Sequence, residues 1–183
     1  MYVKPGLASI LWMFLLALIG AQTSTAASRR EAGRLVSVGG IQSVRGVGAC
    51  ADFFHGPEAF SSLTVTADLI DILDGTASSP GIKGTYHHNL ILNTWKEGKY
   101  ALYAGPGLTA GHVRDLHNHL GWMAGLSGDA GLRVNCLHSI SVSLEWQVDF
   151  ALQFKNRYKQ DLSLYRAGYA HFYYPYLRIQ YCF

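Results

Sequence analysis

The stretch from Ser139 to Phe154, SISVSLEWQVDFALQF, alternates without a break. Its even positions, Ile140 through Trp146 to Phe154, are all large and apolar, and its odd positions hold three serines, Glu145, Gln147, Asp149, Ala151 and Gln153. Successive side chains of a strand point to opposite faces, so the stretch predicts one β-strand with a greasy face and a polar face. At about 3.3 Å per residue it runs roughly 50 Å, far beyond the usual strand of roughly 5 to 6 residues. That length suits a barrel strand that crosses a bilayer in about 9 to 11 residues and projects past it.

The rest of the chain repeats the pattern. Alternating runs predict strands at 35–42, 44–54, 61–72, 84–95, 99–113, 120–133, 139–154 and 173–183, with residues 35–54 readable as one kinked strand or as two. Turn chemistry separates them: HGPE at 55–58, KEGK around Glu97 and Gly98, and a short link at 135–138. Pro106 lacks a ladder donor, which predicts a bulge beside it. His87 and His88 are adjacent and so fall on opposite faces. The connection 155–172 is the longest and is expected to hold a helical turn near 162–167. Short links alternate with longer ones, and there is no internal repeat, so the expected fold is all-β: one closed antiparallel up-and-down transmembrane barrel of eight strands over residues 33–183. Loop length places 74–82, 114–119 and 155–171 outside the cell, and 55–60, 96–98 and 135–138 on the periplasmic side.

Composition agrees. Charged residues are 15% of the chain against a typical ~25%, and aromatics reach 13%. A net charge of +3 with no basic run argues against a nucleic-acid partner. Lys4, an apolar run from Leu7 to Ile19 and small residues from Gly20 to Ala27 read as a signal peptide over 1–26, the run being short for a membrane-spanning helix. The three cysteines, Cys50, Cys136 and Cys182, lack metal-like spacing and read as small apolar residues.

In the last strand Leu177, Ile179, Tyr181 and Phe183 share one face. A terminal aromatic preceded by alternate apolar residues resembles the C-terminal strand by which outer-membrane proteins are recognised for barrel insertion. The whole region is similar to the small outer-membrane barrels of Gram-negative bacteria, of the OmpA or OmpX transmembrane type. The segments YAGPG (103–107), GHVRD (111–115) and GWMAGLSGDAGL (121–132) resemble a family of such barrels. The resemblance implies fold, outer-membrane location, contact with outer-membrane lipid and lipopolysaccharide, and assembly by the barrel-insertion machinery. It carries no catalytic residues, so the expected role is structural or surface-interacting and non-enzymatic, with outer loops meeting an extracellular ligand. A narrow solute pore and a lipid A-modifying enzyme are the alternatives.

An enzyme of that kind needs a serine and a histidine held by a carboxylate at the outer rim. Ser163 with His171, or His117 and His119 with Asp115, supply the residue types; solvated loop histidines are the plainer reading. His112, Asp115, His117 and His119 also approximate a metal-binding set, but the spacing is weak, and no metal or cofactor is expected. A soluble lipid-binding barrel is the rival fold; it would turn Trp122, Trp146 and Phe150 inward.

Alternation turns Asp52, Asp68, Asp129, Arg133, Glu145, Asp149 and Arg178 into the lumen. Buried charges persist when paired, so these are expected to form a salt-bridge network filling a barrel too narrow for more than its own side chains. A turn centred on Leu137 sets Asp129 against Glu145. The repulsion calls for a cation, and Arg178 is expected to contact Glu145, with Asp129 or Asp149 as its second partner.

Overall fold

The computed structural model describes residues 35–73, 75, 79–115, 120–136, 139–155, 161–170 and 174–183. The expected signal peptide, His117, His119 and His171 lie outside them. The strands are β1 (Val36–Gln42), β2 (Gly46–Phe54), β3 (Ala59–Asp68), β4 (Gly81–Trp95), β5 (Tyr100–Arg114), β6 (Leu120–Asn135), β7 (Ile140–Lys155), β8 (Asp161–Leu164) and β9 (Tyr176–Cys182). Two helical turns, α1 (Ile70–Leu73) and α2 (Ala167–Ala170), interrupt the connections.

Each of β1 to β7 pairs antiparallel with the next, β7 pairs with β9, and β9 pairs with β1. The sheet therefore closes into the expected eight-stranded up-and-down barrel, with β8 as a short extra piece on β7. Followed round the wall, Gln42 meets Val47, Ala67, Ile82, His112, Trp122 and Phe154 in turn. Followed the other way it meets Leu177 and then Leu144. The circuit thus returns to β7 ten residues out of step, from Leu144 to Phe154, and this offset obliges the strands to tilt, as in barrels of this size.

Burial is inverted relative to a water-soluble barrel. Inside are Asp52, Glu145, Asp149 and Arg178, each 2% exposed or less; outside are Trp122, Leu126 and Phe154, each more than half exposed. The links after β1, β3, β5 and β7 leave from one end, and those after β2, β4 and β6, together with Leu35 and Phe183, lie at the other. At that second end the link after β4 is tight because Lys96 and Glu97 adopt positive φ (49° and 58°) and Gly98 completes the turn at 80°.

The wall is uneven. Strands β4 to β7 have 15 or 16 residues, whereas β1, β2, β3 and β9 have 7 to 10. Residues 35–54 form two strands around the turn closed by Ser43 N–H to Gly46 O at 2.8 Å. The expected strand 61–72 is 59–68, and its apolar tail turns helical as α1. The last strand starts at 176, later than expected, and the helical turn in the long connection is 167–170, preceded by β8. Pro106 stays in the β5–β6 ladder opposite Gly128, and the register shift falls on β4, between Ile91 and Asn93.

Candidate functional site in the charged lumen

Alternation along β9 turns Arg178 inward, where it is fully buried. Its Nη1 donates to Glu145 Oε2 at 2.6 Å; Nη2 donates to Ser62 Oγ at 2.7 Å, Thr64 Oγ1 at 3.2 Å and Asp52 Oδ1 at 3.3 Å. The contact with Glu145 is the expected one. The second acid is Asp52, not Asp129 or Asp149: closure through β1 brings β2 within reach, while the other two acids are held elsewhere. The β6–β7 register also differs by one pair, setting Asp129 against Gln147 and Glu145 against Gly131, because the turn centres one residue later than Leu137.

Asp52 also accepts from Arg133 Nη2 at 2.7 Å and from Gln180 Nε2 at 2.9 Å. The Arg133 guanidinium carbon lies 4.3 Å from the centre of the Phe60 ring, 5.1 Å from that of Phe54 and 5.4 Å from that of Tyr103, so aromatic faces solvate the part of the cation that carboxylates do not. Tyr103 donates to Glu145 Oε2 at 2.9 Å. Its ring lies across Gly131, where a Cβ would fall 2.4 Å from Tyr103 Cζ, so any larger residue there would push the ring out of this position.

Farther along the lumen, Lys83 Nζ donates to Asp149 Oδ2 at 2.7 Å, and Gln147 and Ser127 donate to Oδ1 at 2.8 and 2.9 Å. Asp129 Oδ2 accepts from Asn89 at 3.1 Å and stands 3.5 Å from His87 Nδ1, whose Nε2 is 2.7 Å from Ser127 Oγ. An acid, an imidazole and a hydroxyl in this order have the outline of a nucleophilic triad. Ser127, however, is 6% exposed and gives its proton to Asp149, so the hydroxyl is part of the packing rather than poised for attack. Among the described lumen residues, Asp52, Asp129, Glu145 and Asp149 face the permanent cations Lys83, Arg133 and Arg178, and His87 is the basic group nearest the remaining acid.

Asp68 lies apart from this network. It is half-buried at the rim and pairs with Arg45 at 2.7 Å. Between them and Lys83, Tyr165 and Tyr176 is a recess of about 20 Å³, the size of a single water. Beside it the chain crosses from β8 to α2. Tyr165 N–H donates to Ala151 O at 2.8 Å, Tyr165 and Ala167 pack on Val113, Met123 and Ala151, and Asp115 Oδ1 accepts from the N–H groups of Arg166 and Ala167 at 2.9 and 3.0 Å. This crossing occupies the stretch where the edge of β7 facing away from β6 has no strand pairs, between its β9 pairs (to Glu145) and its β8 pairs (from Leu152).

Of the expected rim chemistry, Asp115 is engaged as this cap, Ser163 lies on β8, and His112 packs its ring 5.1 Å from that of Trp122. Among the described residues no three His, Cys, Asp or Glu side chains converge as metal ligands. Cys50, Cys136 and Cys182 are free thiols. Leu177, Ile179, Tyr181 and Phe183 all point outward and are 44 to 67% exposed. Lys83, His87, Asn89, Ser127 and Gln147 are additional lumen residues. For His87 the signal was its alternation with His88; for Lys83 it was hidden by a strand start placed at 84. No protein-family model and no curated protein matches the chain.

Proposed function

We propose that the chain is a small integral outer-membrane β-barrel protein of the OmpA or OmpX type, with a structural or surface-interaction role and no catalysis. The observation that carries this reading is the inverted burial: ion pairs inside, and Trp122, Leu126, Phe150 and Phe154 outside at 55 to 64% exposure. In water such a surface would drive association; in lipid it is the favourable arrangement, because a closed barrel leaves no backbone edge to the hydrocarbon. A soluble lipid carrier would need the apolar face inside. The pore reading is disfavoured by Arg178 and Arg133, which bridge acids of β2 and β7 across the lumen. The outer loops are the contact surface, lipid and lipopolysaccharide surround the wall, and the barrel-insertion machinery recognises β9. Expressed with its leader in a Gram-negative host, the chain is expected in the outer-membrane pellet and to change gel mobility on boiling. Recovery in the soluble periplasmic fraction would overturn the reading.

A further inference from the structure

The permanent charges of the lumen do not balance. Asp52 pairs with Arg133 and Arg178, Glu145 with Arg178, and Asp149 with Lys83. Three acids thus share three permanent cations. The fourth acid, Asp129, has none of them within salt-bridge distance among the described residues; its partner is His87 Nδ1 at 3.5 Å. Both side chains are more than nine-tenths buried. Asp129 Oδ2 accepts from Asn89, a neutral amide, and Oδ1 has no hydrogen-bond partner among the described residues.

The groups facing this pair offer no further cation. Glu145 and Asp149 on β7 and Asp52 on β2 are themselves acids, the Tyr103 hydroxyl on β5 donates to Glu145, and Lys83, Arg133 and Arg178 are held by the acids they pair with. On its other side His87 Nε2 meets Ser127 Oγ at 2.7 Å, a neutral hydroxyl that donates to Asp149. A lone carboxylate buried away from water costs more than its protonation, so an acid placed like Asp129 is neutralised by a proton. On Asp129 that proton makes a neutral acid beside a neutral imidazole; on His87 it makes an imidazolium beside a carboxylate. Either placement brings the lumen to zero charge, so the count is independent of the ring's tautomer, and the proton belongs to the pair.

We infer that Asp129 and His87 form a proton-binding site, which holds one proton at neutral pH to balance the closed lumen and makes the barrel loosen as its surroundings turn alkaline. The inference stands on the lumen contacts, whichever solvent bathes the outer wall. An unfolded chain gives up its histidine proton at about pH 6.5 and its aspartic acid proton at about pH 3.9. Above about pH 6.5 the unfolded pair therefore holds no proton while the folded pair holds one. The folded state binds the more protons, so stability falls as pH rises, from about pH 6.5 until the folded pair itself lets go. Between about pH 4 and 6.5 both states hold one proton, and the pair adds no slope.

The test is urea unfolding of the purified full chain across pH, together with vibrational and nitrogen-resonance spectra of the folded protein. Between about pH 7 and 8.5 the unfolding equilibrium constant of wild type is expected to rise by up to about tenfold more per pH unit than that of Asp129→Asn, a near-isosteric change that removes the surplus acid. His87→Gln is expected to keep the extra slope and extend it down toward about pH 4, because its unfolded chain has no imidazole to take the proton. Folded wild type at neutral pH is expected to show one of two signals: the carbonyl stretch of a buried carboxylic acid, absent from Asp129→Asn, or an imidazolium resonance, absent from His87→Gln. Equal pH slopes for wild type and Asp129→Asn would overturn the proposal. So would a His87→Gln slope that begins no lower than that of wild type. A folded wild type with neither signal would overturn it as well, and this measurement decides even where Asp129→Asn does not fold.

Discussion

Arg178 is the residue on which the lumen turns, since it holds acids from two different strands. Replacing Arg178 with Met leaves Glu145 with the Tyr103 hydroxyl and no paired cation, and Asp52 with Arg133 and the Gln180 amide. The expected cost is about 3 to 5 kcal/mol, because an uncompensated buried charge is worse than an apolar pair. Adding Glu145→Leu removes the stranded acid and should recover part of the loss. Urea unfolding of the detergent-refolded barrel measures both; a double variant less stable than the single one would contradict the pairing. The Arg178–Glu145 contact was legible in the sequence because alternation fixes the face and the two strands were expected to adjoin. Asp52 was not, because its reach to Arg178 depends on closure through β1, and closure offset is invisible in local pattern. The misplaced Asp129 register has the same origin: period two fixes which face a side chain takes, but a slip of one pair keeps the face and changes every partner.

At the scale of the element, β9 combines two functions that its alternation separates. Its even positions, Arg178 and Gln180, join the lumen network, while Leu177, Ile179, Tyr181 and Phe183 stay on the outer face. Phe183 stacks edge-on against Tyr181 at 5.0 Å and its N–H reaches Val36 O at 2.9 Å, yet its side chain is 67% exposed. Little folded-state packing depends on it. Deleting Phe183 is therefore expected to reduce the amount of barrel inserted in cells several-fold while leaving the urea midpoint of the inserted fraction within experimental scatter; normal insertion would remove the assembly role proposed for this strand. Strand existence was readable throughout, but the split of the last wall position into β8, α2 and β9 was not. DLSLYRAGYA has apolar residues at spacings that suit a strand or a helical turn, and Gly168 decides between them only in three dimensions: a Cβ there would lie 2.4 Å from Asp149 O.

For the whole molecule, both described chain ends and the links after β2, β4 and β6, of four residues each, share one end; the three-residue turn at 43–45, α1 and the crossing to α2 lie toward the other. The proposed insertion puts the short-link end in the periplasm. With Cys136, which is exposed at that end, replaced by Ala, a membrane-impermeant maleimide on intact cells should label Leu73→Cys and spare Lys99→Cys. The reverse pattern would invert the topology. Loop lengths made legible which end holds the longer connections 69–80, 115–119 and 156–175, with the tight 43–45 turn as the exception there. The uneven wall was not, since it arises from where each strand stops against its neighbours.

That unevenness has a mechanical meaning. The β5–β6 and β6–β7 ladders each hold fifteen register pairs, whereas β9 is fastened to β1 and to β7 by six pairs each. A closed ring parts where its stitching is shortest, and cooperative openings begin in the units with least to break. The cylinder is thus better pictured as a stiff four-strand shield, β4 to β7, with a lightly laced seam that β9 alone fastens to β1.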